Sequence, residues 1–214
     1  MLHRLKATLY FPIAHYFAFF ARIRLKRWKP RIVVVTGSNG KTTTLHLIEA
    51  RLGSGARYTH HHNSSFGIPF DILDLEGAAG SRWKWVTLFF LAPLHALRAA
   101  PEEKIYVVEA DADRPGEGKF LSELLKPEVV VWLNSARTHS AQFEQGLAAR
   151  GFESVDAAIA YEYGYFLLQA KNICIINSDD KHIKHETQRT SAKVLGMDAA
   201  VRSYVDFLYE LASA

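Results

Sequence analysis

The chain has 214 residues, 49% of them hydrophobic and 22% charged, so a soluble globular core is expected and general disorder is excluded. At roughly 150 residues per domain, this length allows one domain with a small appendage. Residues 1–31 carry eight Lys and Arg side chains and no acid, which leaves 18 basic and 22 acidic residues elsewhere. The formal net charge of +4 therefore comes from the N-terminal segment. The single cysteine, Cys174, cannot form an intramolecular disulfide, and a cytoplasmic protein is expected.

The N-terminal segment joins an apolar, aromatic run at residues 8–21 to a basic cluster at residues 22–31. The run is shorter than the ~20 residues that cross a bilayer as a helix, and a signal peptide would carry its cations before the apolar run. Two interpretations stay open: a helix packed on the domain, or peripheral contact of residues 1–31 with the anionic inner face of a membrane. A second apolar run, residues 85–97, is also too short to span.

Beyond residue 30, short β-branched runs alternate with longer helical stretches, which is typical of βαβ units and a mainly parallel sheet. The predicted strands are residues 32–35, 105–108, 129–133 and 173–176. The predicted helices are residues 43–52, 83–99, 118–125 and 155–170. The fold class is therefore α/β.

The most specific motif lies between the first predicted strand and the first predicted helix beyond residue 30. It reads Thr36-Gly37-Ser38-Asn39-Gly40-Lys41-Thr42-Thr43-Thr44. Gly37 and Gly40 permit backbone N–H groups to point at a polyphosphate, and the helix N-terminus attracts its charge. Lys41 would bridge the terminal phosphates, and Thr42 would offer its hydroxyl to Mg²⁺. The general phosphate-loop pattern has four residues between its glycines, whereas this chain has two.

This shortened loop resembles the ATP loop of the Mur ligase family, whose members join amino acids or peptides to UDP-muramoyl precursors of peptidoglycan at the expense of ATP. Four further segments, at residues 63–69, 108–117, 126–139 and 176–180, resemble the MurF-like branch, which adds D-Ala-D-Ala. The resemblance implies a three-layer α/β fold with a mainly parallel sheet of the P-loop NTPase type. It places a central ATP-binding domain at residues 31–196, after a basic and aromatic arm at 1–30 and before a truncated tail at 197–214.

The same resemblance implies a site for ATP and Mg²⁺. The expected catalytic residues are Lys41, Glu109 and His139, and the expected metal ligands are Thr42, Glu109 and His139. Glu109 and His139 come at or just after the ends of predicted strands, where open α/β sheets bind ligands. The residues expected to contact ATP are Gly37, Ser38, Asn39, Gly40, Lys41, Thr42, Thr43 and Asn177.

Three features depart from the family pattern. A complete Mur ligase carries one domain before and one after the central domain, and this chain has no room for either. Tyr163 stands where the family has the lysine whose carbamate holds a second metal ion, and a phenol with a pKa near ~10 is a poor substitute. Asp111 replaces a glycine of the MurF-like pattern, and its carboxylate beside Glu109 would either raise metal affinity or repel phosphate.

The expected function is the ATP-binding domain of a Mur-type acid–amino acid ligase of peptidoglycan precursor synthesis, incomplete as a stand-alone enzyme. Its expected partner is a UDP-muramoyl-peptide-like substrate or a chain that supplies the missing domains. The alternative is a non-catalytic nucleotide-binding module at the membrane surface. No nucleic-acid partner is expected, because the body is acidic and lacks a recognition motif. His60, His61, His62, His182 and His185 are interpreted as loop or surface residues rather than metal ligands.

Overall fold

A computed structural model describes residues 2–60, 62–78, 81–135, 141–144 and 151–197, with side chains from residue 9 onward in those ranges except at 82 and 141. The strands are β1 (Arg31–Thr36), β2 (Ala56–Tyr58), β3 (Ile105–Ala110), β4 (Val129–Trp132), β5 (Ile173–Ile176) and β6 (Lys193–Gly196). The helices are α1 (Leu2–Trp28), α2 (Lys41–Leu52), α3 (Gly67–Ile72), α4 (Arg82–Ala96), α5 (Glu117–Leu125), α6 (Ala141–Glu144), α7 (Val155–Gln169) and α8 (Lys181–Glu186).

The six described strands form one sheet in the order β2-β3-β1-β4-β5-β6, and every pairing is parallel. This confirms the predicted α/β class. Val33 of β1 pairs with Val107 on one side and Val129 on the other. The chain passes from β1 to the edge strand β2, returns to β3 beside β1, and then crosses to β4 on the other side of β1. Open parallel sheets bind ligands at such a reversal, beyond the carboxyl ends of the strands.

Both faces of the sheet are covered, which explains the unbroken apolar runs of its central strands. Val33 and Val35 pack with Leu45 and Ile48 of α2 in the smaller core. Val34 points to the opposite face and joins the larger core, to which α1, α3, α4, α5 and α7 contribute. The fold therefore has the three layers that the resemblance implies.

Helix α1 is part of the larger core. Phe17 is fully buried, and its ring lies 4.8 Å from that of Phe70 and 5.2 Å from that of Phe89. Arg24 is also buried and forms an ion pair with Asp74. The first interpretation of this segment, a helix packed on the domain, is confirmed. Among the described helices, none is both long and apolar enough to cross a membrane.

The sequence prediction places the four central strands correctly but misses the two edge strands. Strand β2 has only three residues, and β6 is mostly exposed, so neither produces a continuous apolar run. The prediction also misses α3, a short helix of six residues that contains Pro69.

Candidate nucleotide-binding site

The loop between β1 and α2 has the backbone shape of a phosphate-binding loop. Gly37 and Gly40 have φ angles of 126° and 83°, a region that favours glycine. A Cβ atom at Gly37 would lie 2.9 Å from the carbonyl oxygen of Asn134, just after β4. The side chain of Asn134 accepts a hydrogen bond from the N–H of Asn39 and donates one to its carbonyl oxygen, both at 2.9 Å. The sequence did not predict that Asn134 holds the phosphate loop through these two hydrogen bonds.

Lys41 lies buried beneath this loop. Its Nζ donates to the carbonyl oxygens of Gly37 at 2.7 Å and Ser38 at 3.3 Å. It also lies 2.7 Å from Oδ1 of Asp111, and the other carboxylate oxygen, Oδ2, accepts a hydrogen bond from the Asn63 side chain. The Lys41 ammonium group is therefore held at the loop, but the Asp111 carboxylate partly neutralises its charge. A phosphate that binds here competes with Asp111 for Lys41.

Thr42 and Glu109, two predicted metal ligands, are brought together. The Thr42 hydroxyl donates to Oε2 of Glu109 at 2.8 Å, and the Glu109 N–H donates to the Thr59 hydroxyl at 2.8 Å. Carboxylate and hydroxyl oxygens are ligands that Mg²⁺ prefers, so this donor set fits the ion that accompanies ATP. The third predicted ligand, His139, lies outside the described residues.

Tyr163 lies directly against the phosphate loop. Its side chain is buried, and its phenol oxygen is 3.5 Å from the carbonyl oxygen of Gly37. Burial, and then the nearby carboxylates of Asp111 and Asp113, raises the pKa of Tyr163 well above its ordinary value. The phenol therefore stays neutral at physiological pH, and a neutral phenol is a weak ligand for a hard cation.

Glu117, at the start of α5, holds the neighbouring loops around the site. Its Oε1 accepts hydrogen bonds from the N–H of Ser65 at 2.9 Å and the hydroxyl of Ser65 at 2.7 Å, and its Oε2 accepts one from the N–H of Asp113. Glu162 of α7 in turn accepts the N–H of Gly116 at 2.8 Å. These contacts connect the loops after β2 and β3 to α7. Sequence reasoning gave Glu117 no role, although an acid directly after a Pro-Gly turn is a local signal of a helix start.

A cleft of about 480 Å³ lies beyond β4 and β5. It is on the side of the phosphate loop where Asn134 forms its hydrogen bonds with Asn39. It is lined by Asn134, Ser135, Asp156, Asp179, Asp180, Lys181 and His182. Asn177, the predicted ATP contact, shapes the turn beside this cleft: its N–H donates to the Trp132 carbonyl at 3.1 Å, and its side chain accepts the Asp179 N–H at 2.9 Å. Asn177 does not itself line the cleft.

Asp180 joins this turn to the end of β4. One carboxylate oxygen accepts the N–H and hydroxyl of Ser135 at 2.8 and 2.6 Å, and the other accepts the N–H groups of His182 and Ile183 at the start of α8. Burial by itself would raise the pKa of Asp180, but the hydrogen bonds from Ser135 and the α8 backbone outweigh it and lower the pKa. The cleft wall therefore depends on an ionised carboxylate.

We expect Asp180→Ala to lower the free energy of unfolding by about 1–2 kcal/mol at neutral pH, because an N-cap and the link to Ser135 are lost. Because the pKa of Asp180 is lower in the folded state, its ionised carboxylate stabilises the fold at pH values above the unfolded-state pKa of ~3.9. This stabilisation is lost as the pH falls through the folded-state pKa. Urea denaturation should therefore show a smaller difference in the free energy of unfolding between wild type and variant at about pH 3 than at about pH 7. A larger difference at acid pH would contradict a stabilising role for the ionised Asp180 carboxylate.

The histidines differ in their surroundings. His185 is exposed on α8, as predicted. His60 lies in a loop, as predicted, but its Nε2 is 3.2 Å from Oε1 of Glu49, and its ring is 5.7 Å from that of His46. These three side chains offer ligand atoms within 4.8 Å of one another and form the one such group among the described residues that could hold a metal ion. His61 lies outside the described residues.

Comparison with known proteins agrees with this arrangement. The Mur ligase middle domain family matches residues 35–204. The UDP-N-acetylmuramoyl-tripeptide–D-alanyl-D-alanine ligase of Borreliella burgdorferi is 26% identical over 191 residues, covering 83% of this chain and 35% of that protein. The Bacillus subtilis enzyme of the same name is 28% identical over 142 residues, covering 64% of this chain and 26% of that protein. The chain thus spans about a third or less of these relatives.

Solved structures show the same fold. MurF ligase from Thermotoga maritima, in complex with ADP, superimposes with a TM-score of 0.63 at 24% identity, covering 87% of this chain and 37% of that one. MurF from Acinetobacter baumannii gives a TM-score of 0.59 at 18% identity, covering 86% and 34%. The family match, the all-parallel sheet and the phosphate loop together lead to one conclusion. The chain belongs to the Mur ligase family and corresponds to its middle, ATP-binding domain, related to that of MurF.

Proposed function

We propose that the chain binds Mg-ATP and provides the ATP site of an acid–amino acid ligase that acts on peptidoglycan precursors. The observation that carries the proposal is the loop that begins at Gly37, with Lys41 beneath it and the Thr42–Glu109 pair beside it. This arrangement offers an ammonium group and backbone N–H groups to the phosphates, and two oxygen ligands to the metal. The names of the MurF relatives, and the ADP in one of them, support it.

The proposed chemistry transfers the γ-phosphoryl group of ATP to a substrate carboxylate, which gives an acyl phosphate and ADP. An amine then attacks the acyl carbon, an amide bond forms, and inorganic phosphate leaves. Lys41 and the loop N–H groups stabilise the negative charge on the phosphoryl group in transfer. Thr42 and Glu109 would hold Mg²⁺, which when bound neutralises phosphate charge. His139 stays proposed as a ligand of a second metal ion.

Asp111 should oppose nucleotide binding, because it pairs with Lys41 in the folded chain. We expect Asp111→Asn to bind Mg-ATP about tenfold more tightly, since the ammonium group is freed for phosphate while the side chain can still accept from Asn63. Calorimetric titration measures this change. Glu123→Gln, an equal charge change on an exposed part of α5, should leave affinity unaltered. Weaker Mg-ATP binding by Asp111→Asn would instead indicate that Asp111 is a ligand of the metal.

The ligase proposal is tested by ADP formation with a UDP-muramoyl-tripeptide acceptor and D-Ala-D-Ala. Because the chain spans about a third of its relatives, the assay needs both the chain alone and the chain with added flanking domains of a MurF relative. We expect ADP release that requires both acceptor and amine and disappears in Glu109→Gln. No acceptor-dependent ADP release under either condition would contradict a ligase function.

A second candidate function is a non-catalytic nucleotide-binding module at the membrane surface. The buried, neutral Tyr163 favours it, because this residue stands where the family pattern has its metal-binding lysine. This candidate predicts Mg-ATP binding without turnover under all of the assay conditions above. Acceptor-dependent ADP release by the wild-type chain would rule it out.

A further inference from the structure

Helix α4 is apolar on two opposite faces. Leu88, Ala92 and Ala96 are buried in the larger core. The opposite face carries exposed side chains that recur every three or four residues: Trp83 (82% exposed), Val86 (49%), Phe90 (73%), Leu94 (62%) and Leu97 (66%). At about 100° per residue they fall within an arc of about 80°, over a length of about 20 Å. No other described element covers this stripe, which we call the α4 outer face.

A stripe of this size is not needed for folding. Burial of one face already anchors α4, and contiguous exposed apolar patches on soluble proteins mark interaction sites more often than chance. Phe19 of α1 is 57% exposed, and α1 lies alongside α4, where the Tyr16 hydroxyl donates to the Phe89 carbonyl oxygen at 2.6 Å. The outer face of α4 therefore needs a partner that accepts large apolar side chains.

The charged residues of α1 and α4 are all basic. Residues 1–48 and 77–101, which include both α1 and α4, contain no acid. Lys84 is exposed beside Trp83, and Arg98 is exposed beside Leu97, so a cation lies at each end of the stripe. Arg27 of α1 reaches the same end, where its Nη1 donates to the carbonyl oxygens of residues 96 and 98 at 3.0 and 3.1 Å.

Acidic side chains lie on the flank of α4 next to the stripe, not on the stripe itself. Asp74 and Glu76 line a cavity with Lys84, Leu88 and other residues on that flank. Asp74 is already paired with two arginines of the chain. The α4 outer face thus carries no acid itself and has Lys84 and Arg98 at its ends, while Asp74 and Glu76 lie on the flank of α4 that Lys84 also lines.

We propose that the α4 outer face docks on an anionic lipid surface. The apolar side chains would lie at the boundary of the acyl chains, and Lys84, Arg98 and the exposed cations of α1 would lie at the phosphate headgroups. The charge pattern favours a lipid surface over a second copy of the chain, because an isologous dimer would bring like cations together. This inference is independent of the nucleotide site and relocates membrane contact from the aromatic face of α1, which is buried, to α4.

The test uses the full chain and two vesicle types, phosphatidylcholine alone and phosphatidylcholine with phosphatidylglycerol. We expect co-sedimentation with the anionic vesicles at least about tenfold tighter than with neutral ones, and weakening as salt is raised. Trp83 is a built-in reporter, because Trp28 and Trp132 are buried and Trp85 is partly buried against the larger core. Its fluorescence should shift to the blue on binding, and Trp83→Phe should lose that shift.

Matched variants separate this face from the rest of the surface. Phe90→Ser/Leu94→Ser should reduce vesicle binding at least about tenfold without lowering the thermal midpoint, because both side chains are already exposed. Leu47→Ser/Leu168→Ser, on α2 and α7, alters side chains that are 46% and 47% exposed and should leave binding unchanged.

Three outcomes would overturn the proposal. The first is no binding to either vesicle type, and the second is equal binding by both double variants. The third is a dimer in sedimentation velocity that Phe90→Ser/Leu94→Ser abolishes while vesicle binding is absent, which would assign the face to a second copy. The α1 helix is not a suitable deletion, because Phe17 and its buried neighbours belong to the core.

Discussion

Gly118→Ala is expected to destabilise the fold by about 3 kcal/mol or more, although alanine is ordinarily the better residue inside a helix. Gly118 lies in α5, and a Cβ atom there would be 2.0 Å from the carbonyl oxygen and 2.7 Å from the carbonyl carbon of Glu162 in α7. Both contacts are with backbone, so the two helices must separate. Urea denaturation of variant and wild type measures the loss.

The matched control for this substitution is Gly55→Ala. A Cβ atom at Gly55 would meet nothing within 4 Å, and the residue does not need a positive φ angle. Its free energy of unfolding should stay within about 1 kcal/mol of wild type, with a small gain from the reduced freedom of the unfolded chain. Equal urea-denaturation midpoints for Gly118→Ala and Gly55→Ala would show that α5 and α7 are not packed this closely.

The same contact has a consequence for the site. Close packing of α5 on α7 places Tyr163 against the phosphate loop and allows Glu162 to accept the N–H of Gly116. A Gly118→Ala chain that still folds should therefore also bind Mg-ATP less tightly. The fold and the site are thus coupled through one glycine.

Lys41→Ala is expected to weaken Mg-ATP binding by about a hundredfold or more, because the buried ammonium group at the phosphate loop is removed. It should also lower the free energy of unfolding by about 3 kcal/mol, since Asp111 is left buried without this partner. Calorimetric titration measures the first effect and urea denaturation the second.

Two variants separate binding from stability at Lys41. Lys41→Met/Asp111→Asn should recover much of the lost stability, because no unpaired charge stays buried, but should not recover Mg-ATP binding. Lys171→Ala, at an exposed position before β5, should alter neither quantity. Undiminished nucleotide affinity in Lys41→Ala would mean that phosphate does not bind at this loop.

Local sequence patterns predict much of this fold. Residues 32–35 and 173–176 are apolar because both faces of the sheet are covered, and the structure places strands there. The glycines of the phosphate loop also carry a local signal, and both adopt positive φ angles. Thr42 and Glu109 could be predicted to meet because each lies next to the carboxyl end of a neighbouring parallel strand.

Contacts between distant residues could not be predicted in the same way. Asn39 and Asn134 are 95 positions apart, and no periodicity connects them. The pairing of Lys41 with Asp111 depends on the register of β1 and β3 and on the turn after β3. Apart from Trp83, the α4 outer face lies within the apolar run at residues 85–97, but only the packed structure shows which side of that run is covered.

The central claim is that the loop between β1 and α2 binds the terminal phosphates of ATP. Titration of Mg-ATP into the wild-type chain, with Mg-AMP as the reference ligand, tests it most directly. The nucleotides share base, ribose and α-phosphate but differ in the phosphates that Lys41 and the loop N–H groups would contact. We predict that Mg-ATP binds at least about a hundredfold more tightly than Mg-AMP. Equal affinity for the two, or no binding of Mg-ATP, would contradict the account.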